Sequence, residues 1–174
     1  MALSAKERKQ KQLERERQAM ARMKDATYPF LKTPFYKHLE KDGNWSSVEL
    51  CFGLLGIEPP VFEDDRGPEE FADSACFATD EDLIEAFQSS EKSIGRAEVM
   101  VGVLLDAAME LANIINTYKS EELKKCREEL ERSDLSEPER RREALETSAQ
   151  LARLQDELDK NVRRTFKTWT VKLL

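Results

Sequence analysis

The strongest helical pattern of the chain lies in residues 91–133, EKSIGRAEVMVGVLLDAAMELANIINTYKSEELKKCREELERS. It can run as one helix from about residue 92 to 132, which would be about 60 Å long at a rise of 1.5 Å per residue. Its most apolar part, residues 97–115, contains Glu98, Asp106 and Glu110. Charged side chains are costly at bilayer depth, so we expect a long helix in water and no membrane span.

The first part of this helix has a wide apolar side. Projected at 100° per residue, the polar residues fall together on the other side; they are Glu98, Asp106, Glu110, Asn113 and Asn116. The apolar residues cover roughly 200°, about double the stripe of an ordinary core-facing helix; they are Met100, Val101, Val103, Leu104, Ala107, Ala108, Leu111, Ile114, Ile115 and Tyr118. One neighbouring helix cannot cover so wide an arc.

A second long helix is predicted after a break at Leu135 and Ser136. Ser136 and Glu139 have the spacing of a capping box around Pro138, and the helix is expected to extend to about Trp169. Residues 91–174 would then form a long antiparallel hairpin. The second helix offers a narrower apolar seam, formed by Leu151, Leu154, Leu158, Val162, Phe166 and Trp169.

A further surface is therefore needed to cover the first hairpin helix. It could come from the preceding aromatic-rich segment or from a second copy of the chain. We expect a homodimer that completes a helical bundle. The expected interface is Met100, Leu104, Leu111, Ile115, Leu151, Leu154, Leu158 and Val162.

Residues 28–90 are predicted to form a compact helical unit. Ten of the 13 aromatic residues fall between positions 28 and 87. Aromatic side chains dominate small cores by area, whereas base-stacking surfaces need a basic groove that this segment lacks. Capping-box spacings predict helix starts at Ser46 and Thr79, and Gly56 is placed to end a helix. Residues 57–78 are expected to form an acidic loop.

Charge is unevenly distributed along a chain of net charge −7. Residues 1–24 carry eight Lys/Arg against three Asp/Glu, while residues 58–85 carry eleven Asp/Glu against the single basic residue Arg66. Ser4 and Glu7 have capping-box spacing, so residues 1–24 are predicted to form a helix. Its apolar residues are too sparse for a core-facing stripe, and it should project. The fold expected from all segments is all-α.

The opening residues LSAKERKQKQLERERQ, positions 3–18, resemble the basic N-terminal helix of small phage and mobile-element accessory proteins. The resemblance implies a bacterial or viral accessory protein, such as a regulator or a host-interaction factor. It brings no catalytic residue with it.

Two functions compete for this basic helix. It could dock on an acidic protein surface, for instance segment 58–85 of a second copy, or it could contact nucleic-acid phosphates. A third interpretation is a solvated terminus without a partner. Glu7, Glu14 and Glu16 interrupt the positive charge, which favours a protein partner and leaves a nucleic-acid-binding regulator as the alternative. The candidate contact residues are Lys6, Arg8, Lys9, Lys11, Arg15, Arg17 and Arg22.

The sequence shows no motif typical of catalysis, cofactor binding or metal binding. The glycines form neither a GxGxxG motif nor a phosphate loop. A metal site or a Cys-His nucleophile pair would have to use His38, the single histidine. Cys51, Cys76 and Cys126 form no CxxC pair, and no secretory segment opens the chain. We expect a cytoplasmic, non-enzymatic protein with no cofactor, metal or small-molecule substrate.

Overall fold

The computed structural model describes residues 5–134, 136–162 and 165–172, without the side chains of 5–8, 17, 18, 20 and 21. The described residues form six α-helices and no strand, which confirms the predicted all-α fold. The helices are α1 (Ala5–Arg22), α2 (Phe35–Leu39), α3 (Trp45–Leu54), α4 (Asp80–Phe87), α5 (Lys92–Arg132) and α6 (Pro138–Leu158). Short 3-10 turns lie at Tyr28–Phe30, Pro68–Glu70 and Ser74–Cys76.

The chain divides into two compact units. Unit 1 contains the residues up to Gly102 together with those from Thr168 onward, and unit 2 is Val103–Lys167. Unit 1 therefore includes α1 to α4 and the beginning of α5. Unit 2 includes the remainder of α5 and all of α6.

The long helix α5 has the predicted bounds, but α6 is shorter than predicted. The prediction that it extends to Trp169 was wrong, because it ends at Leu158. The side-chain amide of Asn116 on α5 donates to the carbonyl oxygen of Leu158 at 2.7 Å, which satisfies a helix-end acceptor without another turn. Residues 165–171 contain three threonines together with Phe166, Trp169 and Val171, residue types that favour extended chain.

Two predicted helix ends are confirmed by their hydrogen bonds. At the start of α4, the Asp82 N–H donates to the Thr79 hydroxyl oxygen at 3.1 Å. After α3, Gly56 adopts a left-handed φ of 67°. The Ile57 N–H then donates back to the Phe52 carbonyl at 3.1 Å, the wrapped helix end that glycine favours.

Two predicted helix starts were wrong by one or two residues. Helix α3 begins at Trp45 after Asn44, and the hydroxyl of Ser46 donates to the Gly43 carbonyl instead of accepting at a helix start. Helix α6 is preceded by Glu137, with Pro138 at its first position. The Ser136 hydroxyl donates to the Asp134 carboxylate instead of capping α6. Ser4 lies outside the described residues.

The aromatic residues of unit 1 pack in small clusters. Phe62 lies between Phe35 and Trp45, with ring centroids 5.7 and 5.6 Å apart and edge-to-face geometry. The guanidinium of Arg96 on α5 lies 4.6 Å from the Phe62 ring centroid and 3.4 Å from that of Phe71. One α5 side chain thus holds two points of the acidic loop.

A buried serine connects three segments of unit 1. Ser93 at the beginning of α5 is fully buried. Its hydroxyl donates to the Asp65 carboxylate at 2.7 Å and accepts from the Tyr36 N–H at 3.3 Å. The acidic loop and α2 are therefore both attached to the first turn of α5.

Candidate interaction surfaces

Helix α1 presents cationic side chains to solvent. Lys9, Lys11 and Arg15 are exposed, and the apolar Leu13 between them is 49% exposed. The side chains of three other predicted contact residues lie outside the described ones; they are Lys6, Arg8 and Arg17. The described part of α1 is therefore a solvated charged surface.

The last cations near α1 pair with acidic residues of the same chain. Arg22 forms an ion pair with Glu85 of α4 at 2.8 Å, and Lys24 pairs with Glu91. All four side chains are about half exposed or more, and such surface pairs contribute about 0–1 kcal/mol each. Acidic segment 58–85 thus does meet the basic helix, through Glu85 and within one chain.

A buried aspartate fastens the C-terminal segment to the end of α1. Asp25 is 4% exposed, and its carboxylate accepts hydrogen bonds from the N–H groups of Thr27 and Val171. The Ala26 N–H donates to the Val171 carbonyl at 2.7 Å. Burial alone would raise the pKa of Asp25, but the hydrogen bonds from the Thr27 hydroxyl and from the Val171 and Thr27 N–H groups outweigh it and hold the pKa below the ordinary aspartate value.

Asp25→Asn is expected to lower the free energy of unfolding by about 1–3 kcal/mol at neutral pH, because an amide N–H₂ would then face the Val171 N–H. A lowered folded pKa stabilises the fold above the unfolded value of 3.8, and that stabilisation is lost as pH falls through the folded pKa. Urea denaturation should therefore show the two proteins converging in acid. The exposed Asp106→Asn is the control, and a gap that stays constant with pH would contradict the assignment.

The carboxylates that the helical projection groups together differ in burial. Glu98 is half-buried in unit 1, where it accepts a 2.6 Å hydrogen bond from the Tyr28 hydroxyl. Burial raises the pKa of Glu98, and burial together with this hydrogen bond raises the pKa of Tyr28. Asp106 and Glu110 are exposed in unit 2. In the described part of the chain, no three His, Cys, Asp or Glu side chains cluster as metal ligands would.

Unit 1 contains a cleft of about 650 Å³ next to α2. Phe30, which is 78% exposed, and Leu31 contribute apolar walls. Its carboxylates already have partners, since Asp65 accepts from Ser93 and Glu91 pairs with Lys24. His38 also lines the cleft and is largely exposed, with its Nε2 3.6 Å from an Asp42 carboxylate oxygen.

In unit 2, α6 packs on the polar side of α5. Besides the bond from Asn116 to the end of α6, the Gln155 amide donates to the Ser120 hydroxyl at 3.3 Å. Leu151 and Leu158 of the predicted interface are half-buried. Leu154 is exposed, and Val162 lies beyond the end of α6 with 85% of its surface exposed.

The apolar side of α5 in unit 2 remains exposed. Six of its large apolar side chains are between 43% and 64% exposed; they are Val103, Leu104, Leu111, Ile114, Ile115 and Tyr118. Met109, on the other side of the helix, is 59% exposed. Among the described residues with apolar side chains, only Pro68 and Ala144 are buried. Within this face, we call Leu104, Ala108, Leu111, Ile115 and Tyr118 the apolar seam.

A second exposed apolar surface lies on α3 and the residues after it. Leu50, Leu54, Leu55 and Ile57 are between 53% and 79% exposed. The opposite side of α3 packs through Trp45 on the aromatic cluster. Both units thus expose contiguous apolar side chains.

Comparisons with family models, curated proteins and solved structures found no match for this chain. None of the described helices has the length and apolar character that crossing a membrane requires.

Proposed function

We propose that this chain is a non-enzymatic helical interaction protein that binds other protein chains through apolar helix faces. The observation that carries the proposal is that large apolar side chains of α3 and α5 are exposed, while Pro68 and Ala144 are the only buried apolar side chains among the described residues. Contiguous apolar surface of this extent marks interaction sites on folded proteins. A protein partner would bury it.

The basic helix α1 would add charge to that recognition. Lys9, Lys11 and Arg15 are exposed and reachable by an acidic surface. Glu14 and Glu16 are exposed on the same helix, which weakens its attraction for a phosphate backbone. The role of an accessory or regulatory factor, implied by the resemblance of residues 3–18 to phage and mobile-element proteins, stays a prediction.

A nucleic-acid-binding regulator is the second candidate, supported by the same three exposed cations. Nucleic-acid binding through such an arm would depend steeply on salt, because each neutralised phosphate releases counterions. A protein interface with an apolar centre would depend on salt only weakly. Salt dependence therefore separates the two functions.

Lys11→Glu/Arg15→Glu is expected to weaken partner capture several-fold and to leave the melting temperature within a few degrees of wild type. The control is Lys37→Glu/Lys41→Glu, which changes the same charge at the same spacing on exposed side chains. Capture uses the full chain in nuclease-treated extract, and duplex DNA binding is followed by anisotropy at low and physiological salt. Protein capture that survives nuclease supports the proposal. Tight, salt-sensitive DNA binding that the α1 variant abolishes would replace it with the alternative.

A further inference from the structure

The apolar seam of α5 has the spacing of a coiled coil. Leu104, Ala108, Leu111, Ile115 and Tyr118 follow one another at steps of four, three, four and three residues. This is the heptad rhythm that keeps one stripe of a helix facing another helix. The flanking positions Ala107, Ala112 and Ile114 are also apolar, so the surface is wide enough for a close-packed neighbour.

The hairpin itself does not provide that neighbour. Asn116 and Ser120, which bond to α6, project roughly 140° and 180° away from Leu111 around the helix. Helix α6 also ends opposite Asn116. The seam therefore lies on the side of α5 away from α6, and much of it lies beyond the end of α6.

We propose that a second copy of this chain occupies the seam, with the two α5 helices antiparallel and centred on Leu111. The inference rests on the proposed function, and it names the partner for this surface. Six large side chains of this face, between 43% and 64% exposed, extend over about 22 Å of helix, and covering them together with the flanking alanines brings the contact toward the roughly 800 Å² per partner of a standard stable interface.

The heptad positions that follow the apolar seam indicate whether the two α5 helices pair parallel or antiparallel. The heptad positions after Tyr118 are Glu122, Lys125 and Glu129. A parallel pair would place each of these charges against its own copy, and opposed like charges destabilise an interface.

Antiparallel pairing about Leu111 gives a better match of size as well as charge. Leu104 then faces Tyr118 of the second copy, and Ala108 faces Ile115. Pairing small residues with large ones lets two helices interdigitate without voids. In this register Glu122 lies level with Met100 of the second copy and Lys125 with Ala97, so no charge meets its own counterpart.

Disulfide trapping tests the register directly. The background is the full chain with Cys51→Ser, Cys76→Ser and Cys126→Ser, since all three thiols are exposed and could cross-link by themselves. Either Leu104→Cys or Tyr118→Cys is then introduced into this cysteine-free background. We expect mixed Leu104→Cys and Tyr118→Cys proteins to form a covalent dimer, identified by its linked peptides. Each variant alone should stay uncross-linked, because the matching positions lie about 20 Å apart in an antiparallel pair.

Light scattering of the wild-type chain supplies the second readout. A mass near twice 20.1 kDa is expected at micromolar concentration. Self-cross-linking of Leu104→Cys would show a parallel pair, and a monomer without cross-links in any mixture would show that no second copy binds; either result overturns the inference. A monomer that still captures another protein in a seam-dependent way would leave the proposed function standing.

Discussion

Gly95→Ala is expected to lower the free energy of unfolding of unit 1 by about 2–3 kcal/mol, one of the largest effects available in this chain. A Cβ at position 95 would lie 2.6 Å from the carbonyl carbon of Ser90 and 3.0 Å from its Cα. Both are backbone atoms, so no side-chain rotation can relieve the clash. The close approach follows a sharp turn at Lys92, which has a left-handed φ of 61°.

Gly102→Ala is the matched control on the same helix. No heavy atom lies within 4 Å of a Cβ built at this glycine. Alanine in an open helix interior is expected to raise the free energy of unfolding by up to about 1 kcal/mol. Urea denaturation followed by circular dichroism measures both. Equal effects of the two substitutions would show that the junction of Ser90 with α5 is not closely packed.

The parts of the fold that depend on local sequence could be predicted. Thr79 starts α4 because its hydroxyl reaches an N–H three residues away, and Gly56 ends α3 because it tolerates a positive φ. The bounds of α5 follow from an uninterrupted helical pattern in residues 92–132. Each of these signals acts within one or two turns of chain.

Contacts between distant residues could not be predicted. The Tyr28 hydroxyl meets Glu98 from 70 residues away, and Asp25 meets the Val171 N–H across 146 residues. Neither pair has a spacing signal in the sequence. The threonines of residues 165–170 favour an extended segment, whereas the helical spacing of Val162, Phe166 and Trp169 predicted a longer α6.

For the candidate surfaces, the projection identified which residues share a side of α5 but not which side its neighbour occupies. The second hairpin helix was expected to cover part of the wide apolar arc. It packs near Asn116 and Ser120 instead, because polar side chains there can bond to it. On α1, Lys9, Lys11 and Arg15 are exposed, and their contact with a partner stays a prediction. The pairing of Arg22 with Glu85 of its own chain needed the tertiary structure.

Leu111→Asp is expected to convert the assembled protein to a monomer and to lower its melting temperature substantially. In the single chain Leu111 is 58% exposed, so an aspartate there costs little by itself. At the centre of an antiparallel pair, two carboxylates would be brought together out of water. Burying an uncompensated charge costs about 3 kcal/mol or more, which corresponds to at least a 100-fold weaker dimer.

Met109→Asp separates this effect from the general cost of placing an acid on α5. Met109 is 59% exposed, only two residues away, and projects roughly 160° from Leu111. Met109→Asp should therefore leave both the mass and the melting temperature of the protein close to wild type, because the side chain at this position stays in water in the monomer and in the pair. Light scattering and thermal denaturation at several protein concentrations provide the comparison. If the two variants behave alike, the seam is not an interface, and the exposed apolar side of α5 must be covered in another way.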